Sequence, residues 1–277
     1  MAAAEPLDGP MADPMVVVDN LHVVYRVFGS KSDKGTAATA LWRMLRRQRR
    51  PSVREVHAIR GVSFVANRGD AVGVIGRNGS GKSTLLRAIA GLLPPEQGAV
   101  YTTGHASLLG VNAALLDDLT GERNVVVCGL AMGMTPREVK DKYQGIVDFS
   151  GVGDFINLPM RAYSTGMGSR LRFAIASARS HEVLLIDEAL VTGDAEFRVR
   201  SRQRIEELRA QAGTVFIVAH SMAQIEETCN RVIWLEKGQI MRQGHDVPAI
   251  IDAYLEATGG EPRKRDKPHQ NEHSATA

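Results

Sequence analysis

The chain is poor in cysteine, in aromatic residues and in long apolar runs. Its two cysteines, Cys128 and Cys229, have no metal-ligand spacing and are too few for a disulfide framework, which fits a reducing compartment. The longest apolar runs are short and fall far below the roughly 20 residues that a membrane-spanning helix needs. The first 15 residues contain no basic residue, which excludes a secretory signal. If the protein acts at a membrane, it is therefore expected to do so through a partner protein.

Strong charge is also lacking, because the net charge of +3 over 277 residues is too small to indicate nucleic-acid binding. Hydrophobic residues make up 44% and charged residues 23%, as in ordinary soluble globular proteins. Residues 1–14 and 259–277 are polar and are expected to be disordered. The sequence thus predicts one folded domain over residues 15–258, without an internal repeat.

Predicted strands alternate with predicted helices along this domain, which indicates an α/β fold with a parallel-sheet core. The strands are expected at 15–25, 62–65, 71–75, 183–186 and 215–219, with a hairpin around Lys237-Gly238. Helices are expected at 82–92 and 195–210, and residues 120–180 are predicted to be mostly helical. Residues 30–54 resemble an inserted loop with a short helix.

The most specific motif is Gly76-Arg-Asn-Gly-Ser-Gly-Lys-Ser83, a complete phosphate loop between a predicted strand and a predicted helix. Its glycines let backbone N–H groups point at phosphate oxygens, and the helix N-terminus favours the same anion. Lys82 is expected to reach the β- and γ-phosphates of a nucleotide, and the Ser83 hydroxyl to bind Mg²⁺. A chance glycine-rich turn would lack this strand and helix.

A second motif ends the apolar strand Val183-Leu-Leu-Ile-Asp-Glu188 with two carboxylates. A carboxylate at the carboxyl end of a parallel strand lies at the edge where the phosphates are expected. Asp187 is predicted to hold Mg²⁺, directly or through water, and Glu188 to orient or deprotonate the attacking water. The alternative is a strand followed by a solvated acidic turn.

These motifs, together with Tyr163-Ser-Thr-Gly-Met167 some twenty residues before the second one, resemble the nucleotide-binding domain of ABC transporters. The third segment stands in the place of that family's LSGGQ signature, which contacts the γ-phosphate held by the opposite protomer of a dimer. Ser164 and Gly166 match the signature, whereas Tyr163, Thr165 and Met167 depart from it. A plain helix start capped by Ser164 or Thr165 is compatible with the same residues.

The resemblance implies a P-loop ABC ATPase fold, in which an antiparallel β subdomain and a helical subdomain at about 112–180 join the parallel-sheet core. It implies that His220 contacts the γ-phosphate and acts in catalysis with Glu188, and that Asp194 links the two active sites.

Tyr25 resembles the aromatic residue that stacks on adenine, with a core tyrosine as the equal alternative. The usual glutamine of the magnesium site is missing, and Asn112 is the nearest amide. The implied ATP-binding set is Tyr25, Gly76, Arg77, Asn78, Gly79, Ser80, Gly81, Lys82, Ser83 and Thr84; the implied metal ligands are Ser83 and Asp187.

Four markers together resemble the cassettes of bacterial polysaccharide exporters, which cover O-antigen, capsule and teichoic acid systems. They are the Tyr-Ser-Thr-Gly-Met segment, the absent glutamine, Asp187-Glu-Ala-Leu-Val-Thr-Gly-Asp-Ala-Glu-Phe197 and Leu119-Thr-Gly-Glu-Arg-Asn124. That subgroup implies an ATP hydrolase on the cytoplasmic face of the inner membrane, acting as a homodimer with two permease subunits. It also implies a lipid-linked polysaccharide as cargo, handled mainly by the permease. The Ala-, Val- and Arg-rich composition suggests an actinobacterial source and hence a galactan precursor. An importer cassette for a small solute, a non-transport ABC protein and a regulatory clamp remain alternatives.

The insertion contains a strongly basic segment, Leu41-Trp-Arg-Met-Leu-Arg-Arg-Gln-Arg-Arg50. Leu41 and Leu45 lie one helical turn apart with arginines around them, as in amphipathic helices that rest on anionic membranes. The same arginines are suited to the diphosphate of a lipid carrier. A solvated helix and a plain contact with the permease are the other interpretations.

Overall fold

The computed structural model describes residues 13–28, 53–109, 115–187, 195–219 and 221–259. Its strands are β1 (Pro14–Phe28), β2 (Val53–Asn67), β3 (Ala71–Ile75), β4 (Gln97–Thr102), β5 (Ala106–Leu108), β6 (Val183–Asp187), β7 (Thr214–Val218), β8 (Arg231–Glu236) and β9 (Gln239–Gly244). Its α-helices are α1 (Lys82–Ile89), α2 (Gly121–Ala131), α3 (Pro136–Ser150), α4 (Thr165–Ser177), α5 (Ala195–Gln211), α6 (Met222–Thr228) and α7 (Val247–Thr258). Two short 3₁₀ helices, Gly153–Asn157 and Met160–Ala162, precede α4.

The central sheet has the order β5-β6-β7-β3-β8-β9. Its strands are parallel except for β9, which forms the predicted hairpin with β8. All five residues of β6 and of β7 are buried, as expected for strands covered on both faces. The predicted parallel core is therefore confirmed, and the carboxyl ends of β3 and β6 lie at the same edge of the sheet.

A second, antiparallel sheet has the order β2-β1-β4. Strand β2 starts at Val53 and pairs with β1 along its length, so the prediction of a short strand at 62–65 and of an insertion reaching residue 54 was wrong. Residues 54–57, at the start of β2, are exposed and partly charged, so they lack the apolar run by which a strand is recognised from sequence. Pairing with β1 nevertheless gives them strand structure. The predicted antiparallel β subdomain is confirmed.

The chain between Thr120 and Ser177 is mostly helical, as predicted, and contains α2, α3 and α4. Each of these helices begins at a hydroxyl N-cap: Thr120, Thr135 and Ser164. A separate apolar cluster, which includes Val125, Ile146 and Leu171, holds the helices together. This part of the chain therefore forms its own packed layer beside the central sheet.

Three phenylalanine rings join the helical layer to α5. Phe197 of α5 is fully buried, and its ring meets Phe149 of α3 at 5.6 Å and Phe173 of α4 at 5.8 Å, both edge-on. The Arg200 guanidinium covers the rings of Phe149 and Phe197. These ring contacts fix the start of α5 against α3 and α4.

Cys128 and Cys229 are both buried, and neither takes part in a disulfide. Among the described residues, no helix combines the length and the apolar character needed to cross a membrane.

Candidate nucleotide-binding site

The phosphate loop, Gly76–Ser83, runs from the end of β3 into the first turn of α1. Gly76 has φ of 147°, and a methyl group on it would overlap the Leu235 carbonyl of β8 and the Ser80 hydroxyl. Gly81 has φ of 109°, and a Cβ there would lie 2.7 Å from the Ala58 carbonyl of β2. Only glycine allows the loop to curl so tightly between these two strands.

The hairpin between β8 and β9 holds this loop in place through backbone hydrogen bonds. The Gly238 N–H donates to the Ser80 carbonyl at 2.9 Å, and the Arg60 N–H of β2 donates to the Gly238 carbonyl at 2.8 Å. The Ser80 side chain is buried, and its hydroxyl has no hydrogen-bond partner in the described chain. A buried hydroxyl without a partner is costly unless a ligand or water meets it. This loop therefore fits a phosphate group.

The Lys82 ammonium lies inside the curve of the loop. It donates to the Gly76 carbonyl at 2.7 Å and to the Arg77 carbonyl at 3.0 Å. Burial lowers the pKa of Lys82, while the nearby carboxylates of Asp187 and Glu236 act in the opposite direction. The ammonium is thus held where phosphate oxygens would approach the loop.

The Ser83 hydroxyl donates to the Asp187 carboxylate at 2.8 Å, which brings the two predicted metal ligands together. Asp187 ends β6 and is 6% exposed. A hydroxyl and a carboxylate are oxygen donors of the kind that Mg²⁺ prefers. The donor set therefore fits magnesium, and the described parts of the chain contain no separate group of three or more His, Cys, Asp or Glu residues that could hold a metal ion.

Tyr25 lies next to the loop, on β1. Its side chain is half-buried, and its hydroxyl is 3.4 Å from the Thr84 hydroxyl of α1. The ring therefore stands beside the phosphate loop rather than in the apolar core, a place compatible with contact to a nucleotide base.

The predicted signature segment lies at the surface, at the start of α4. Ser164 caps this helix, because its hydroxyl accepts from the Met167 N–H at 3.2 Å. Ser164, Thr165 and Gly166 are exposed, and the first turn of α4 contains no acidic residue. This helix start thus offers free N–H groups and positive potential outward, as an anion-binding tip requires.

Four predicted site residues, Asn112, Glu188, Asp194 and His220, lie outside the described residues, as does the basic segment 41–50. Two contributors to the site were not predicted: Glu236, which acts on Lys82, and Gly238, which holds Ser80. The only sequence signal for them was the hairpin prediction, because the pairing of β8 with β3 is a long-range contact.

Comparison with known proteins identifies the family. The ABC transporter profile matches residues 59–191. The chain is 38% identical to the O-antigen export system ATP-binding protein RfbB of Klebsiella pneumoniae over 74% of this chain and 83% of that protein. It is also 38% identical to the teichoic acids export ATP-binding protein TagH of Listeria innocua, over 78% of this chain and 65% of that protein. Against TagH of Bacillus anthracis the chain spans 36% of the relative's length.

Solved structures show the same fold at low sequence identity. A dimeric ATP-binding cassette in a post-hydrolysis state, bound to ADP and Pi, superposes with a TM-score of 0.60 at 20% identity, over 83% of this chain and 98% of that one. The ATP-binding subunit of an ABC transporter gives a TM-score of 0.61 over 88% of this chain. With its identity to RfbB over most of that protein's length, this chain belongs to the ABC transporter family, in the subgroup that contains TagH and RfbB.

Proposed function

We propose that this chain is the ATP-hydrolysing subunit of an ABC exporter that drives a lipid-linked polysaccharide across the cytoplasmic membrane. The observation that carries the proposal is the contact of Ser83 with Asp187 at the mouth of a complete phosphate loop. Both relatives are named for export, of teichoic acids and of O-antigen, which supports export over import.

In the proposed nucleotide complex, the amide groups of the phosphate loop and the Lys82 ammonium bind the phosphates of ATP. Ser83 and Asp187 hold Mg²⁺, which supplies positive charge to the phosphate oxygens. The buried Ser80 hydroxyl gains a partner on the phosphate, and the ring of Tyr25 stacks on adenine. Glu188 activates water and His220 contacts the γ-phosphate, while Asn112 takes the place of the usual glutamine.

The proposed working unit is a homodimer in which each nucleotide lies between two copies. Lys82 of one copy holds the phosphates, and the exposed segment from Ser164 to Met167 of the other copy meets the γ-phosphate. Asp194 connects the two sites. Closure and reopening of this pair bias two permease subunits between two states, from a peripheral position on the cytoplasmic face of the membrane.

The proposed hydrolysis is tested on the purified chain with Mg-ATP, by phosphate release. Glu188→Gln is expected to lower turnover about a hundredfold or more, since a general base contributes at least this factor. Glu256→Gln, an exposed carboxamide substitution on α7, is the matched control and should keep the wild-type rate. Wild-type turnover in Glu188→Gln would remove Glu188 as the base, and a wild-type chain that neither binds nor hydrolyses ATP would end the proposal.

The export role is tested by the reading frames beside this gene and by the partner that the chain copurifies with. An integral membrane protein of about six spans and neighbouring glycosyltransferases are expected for polysaccharide export. A periplasmic binding protein would favour the importer alternative, and copurification with ribosomes would favour a non-transport ABC protein.

Within polysaccharide export, we propose a galactan precursor on a polyprenyl diphosphate as the cargo, on the basis of the Ala-, Val- and Arg-rich composition. Depletion of the chain in its native host should cause lipid-linked galactan to accumulate on the cytoplasmic side of the membrane. Accumulation of a different lipid-linked glycan would keep the exporter and replace the galactan.

A further inference from the structure

Tyr163, which directly precedes the signature serine, is tied to a neighbouring part of the helical layer. Its hydroxyl donates to the Phe155 carbonyl at 2.7 Å, and its ring meets the Phe155 ring edge-on at 6.4 Å. A methyl group on Gly121, at the start of α2, would overlap the Tyr163 hydroxyl. The side chain before Ser164 is therefore packed closely against the first residue of α2.

The segment before α2 is itself held rigidly, by Asn124. This side chain is fully buried and accepts from the Leu116 N–H at 2.7 Å. Its amide group donates to the carbonyls of Leu116, Leu119 and Thr120 at 3.0, 3.3 and 3.0 Å. One buried amide thus fixes the whole turn that leads into α2.

This turn is bonded along its length to the segment that leads into the signature. The Met160 N–H donates to the Leu119 carbonyl at 2.9 Å, and the Arg161 N–H donates to the Asp117 carbonyl at 3.1 Å. The Gly121 N–H donates to the Leu158 carbonyl at 3.2 Å. Residues 116–121 and 155–163 therefore form one connected unit, which we call the pre-signature unit.

The pre-signature unit ends at Tyr163, directly before Ser164. Among the described contacts, the Ser164 side chain bonds only within its own helix. The direction in which the exposed tip of α4 points is therefore set from both ends, by the packing of its apolar residues and by Tyr163. We propose that Tyr163 is a positioning residue, which fixes Ser164 and Gly166 for the nucleotide of the partner copy. This inference rests on the proposed ATP-dependent dimer.

The position of the unit gives it a second consequence. It starts at Leu116, four positions along the sequence from Asn112, the amide nearest to the place of the usual glutamine. The bonds at Leu119, Asp117 and Phe155 link the turn at 116–121 to the segment that leads into Ser164. Tyr163 thereby connects the start of α2 to the tip that serves the other copy's nucleotide.

The test compares Tyr163→Phe with Tyr143→Phe, both in the hydrolysis-blocked Glu188→Gln protein. Tyr143 lies in the same apolar cluster, and its hydroxyl has no hydrogen bond to another described residue, so it controls for loss of a phenol group. Three quantities are measured: ATP-dependent dimerisation by sedimentation, ADP affinity of the monomer, and the midpoint of thermal unfolding.

Tyr163→Phe is expected to raise the dissociation constant of the ATP-bound dimer about fivefold, the factor that one net hydrogen bond is worth. Its ADP affinity should change no more than that of Tyr143→Phe, and its thermal midpoint should fall only by the about 2–4 °C that one lost hydrogen bond costs in a chain of this size. A purely structural role would lower the thermal midpoint without a selective loss of dimerisation, and equal dimerisation of the two variants would overturn the inference. If the Glu188→Gln parent itself fails to dimerise with ATP, the proposed function falls and this inference falls with it.

A second variant tests the same contact from the side of α2. Gly121→Ala introduces a methyl group against the Tyr163 hydroxyl and is expected to weaken the ATP-bound dimer. Removing the hydroxyl relieves part of this overlap, so the double variant should dimerise better than the two single effects predict together. Additive effects would overturn the proposed coupling of Tyr163 to the start of α2.

Discussion

The Ser83 hydroxyl and the Asp187 carboxylate are 104 positions apart in the sequence and 2.8 Å apart in the fold. Ser83→Ala and Asp187→Asn should each lower Mg-dependent turnover about a hundredfold or more, because a metal ion supplies several kcal/mol of charge stabilisation to the reaction. The double variant should be little worse than either single one, since the two groups serve one ion.

The measurement follows Mn²⁺ binding by electron paramagnetic resonance in the presence of ADP, beside ADP affinity without metal. Loss of Mn²⁺ binding with retained ADP affinity is expected for both variants. Asp154→Asn, an exposed position in the helical layer, is the control. If Asp187→Asn binds Mn²⁺ as tightly as the wild type, Asp187 is not a metal ligand.

Two glycines of the phosphate loop separate steric from conformational cost. A Cβ at Gly76 overlaps a backbone carbonyl, whereas one at Gly79 meets nothing within 4 Å, although φ there is 79°. Gly79→Ala should lower the free energy of unfolding by about 1–2 kcal/mol from the left-handed backbone alone. Gly76→Ala should cost about 1–3 kcal/mol more, because of overpacking, as measured by urea unfolding. Equal costs would mean that the loop moves freely away from β8.

At the residue scale, the sequence predicts what local spacing dictates. The phosphate loop and the run that ends in Asp187 are contiguous, so their place after a strand follows from the pattern alone. The support of Ser80 by Gly238 and the burial of Lys82 near Glu236 depend on the pairing of β3 with β8, which no local pattern specifies.

At the scale of elements, the connection from α4 to β6 contains a buried histidine. His181 is 4% exposed, and its Nε2 lies 3.1 Å from the Ala176 carbonyl at the end of α4. Burial lowers the pKa of His181, and the charges of Arg179 and His105 act in the same direction, while the Ala176 carbonyl and Glu182 oppose them.

This histidine is expected to make the fold sensitive to acid. Because its pKa in the fold lies below the unfolded value of about 6.5, stability is complete above that pH and declines as the pH falls through and below it. One proton changes the slope by at most about 1.4 kcal/mol per pH unit. His181→Gln should reduce the slope of unfolding free energy against pH below 6.5 by up to this amount.

Urea unfolding between pH 5 and pH 7.5 measures this slope. His57→Gln, at an exposed position on β2, is the control for loss of a histidine. A His181→Gln protein with the wild-type slope would show that other groups cause any acid sensitivity.

Helices and buried strands with strong patterns were predicted within a few residues, whereas β4, β5, α6 and α7 were not. Strand β5 has three residues and β4 is largely exposed, so neither gives a period of its own. Their structure comes from partners, β6 for one and β1 for the other. The full length of β2 was missed for the same reason, because pairing rather than side-chain pattern defines it.

At the scale of the whole molecule, the two segments that are proposed to bind phosphate belong to different layers. The phosphate loop lies at the edge of the central sheet, and the exposed tip from Ser164 to Gly166 lies at the start of α4 in the helical layer. The resemblance to ABC cassettes supplied the idea that the tip serves a second copy; spacing alone would not have done so. That idea has a thermodynamic consequence, since a nucleotide shared by two copies links folding to association.

In the Glu188→Gln protein, the thermal midpoint with Mg-ATP should therefore rise with protein concentration, by about 2 °C per tenfold for a chain of this size. With Mg-ADP the midpoint should not depend on protein concentration. Gly166→Asp separates the two effects, because in the described part of the chain a Cβ there meets only the Ser164 hydroxyl, at 3.9 Å. An acidic residue in the first turn of α4 favours the helix but repels a γ-phosphate, so this variant should fold normally. Mg-ADP should still raise the thermal midpoint of this variant, but the midpoint with Mg-ATP should no longer depend on protein concentration. If that dependence is retained, the tip of α4 does not meet the nucleotide.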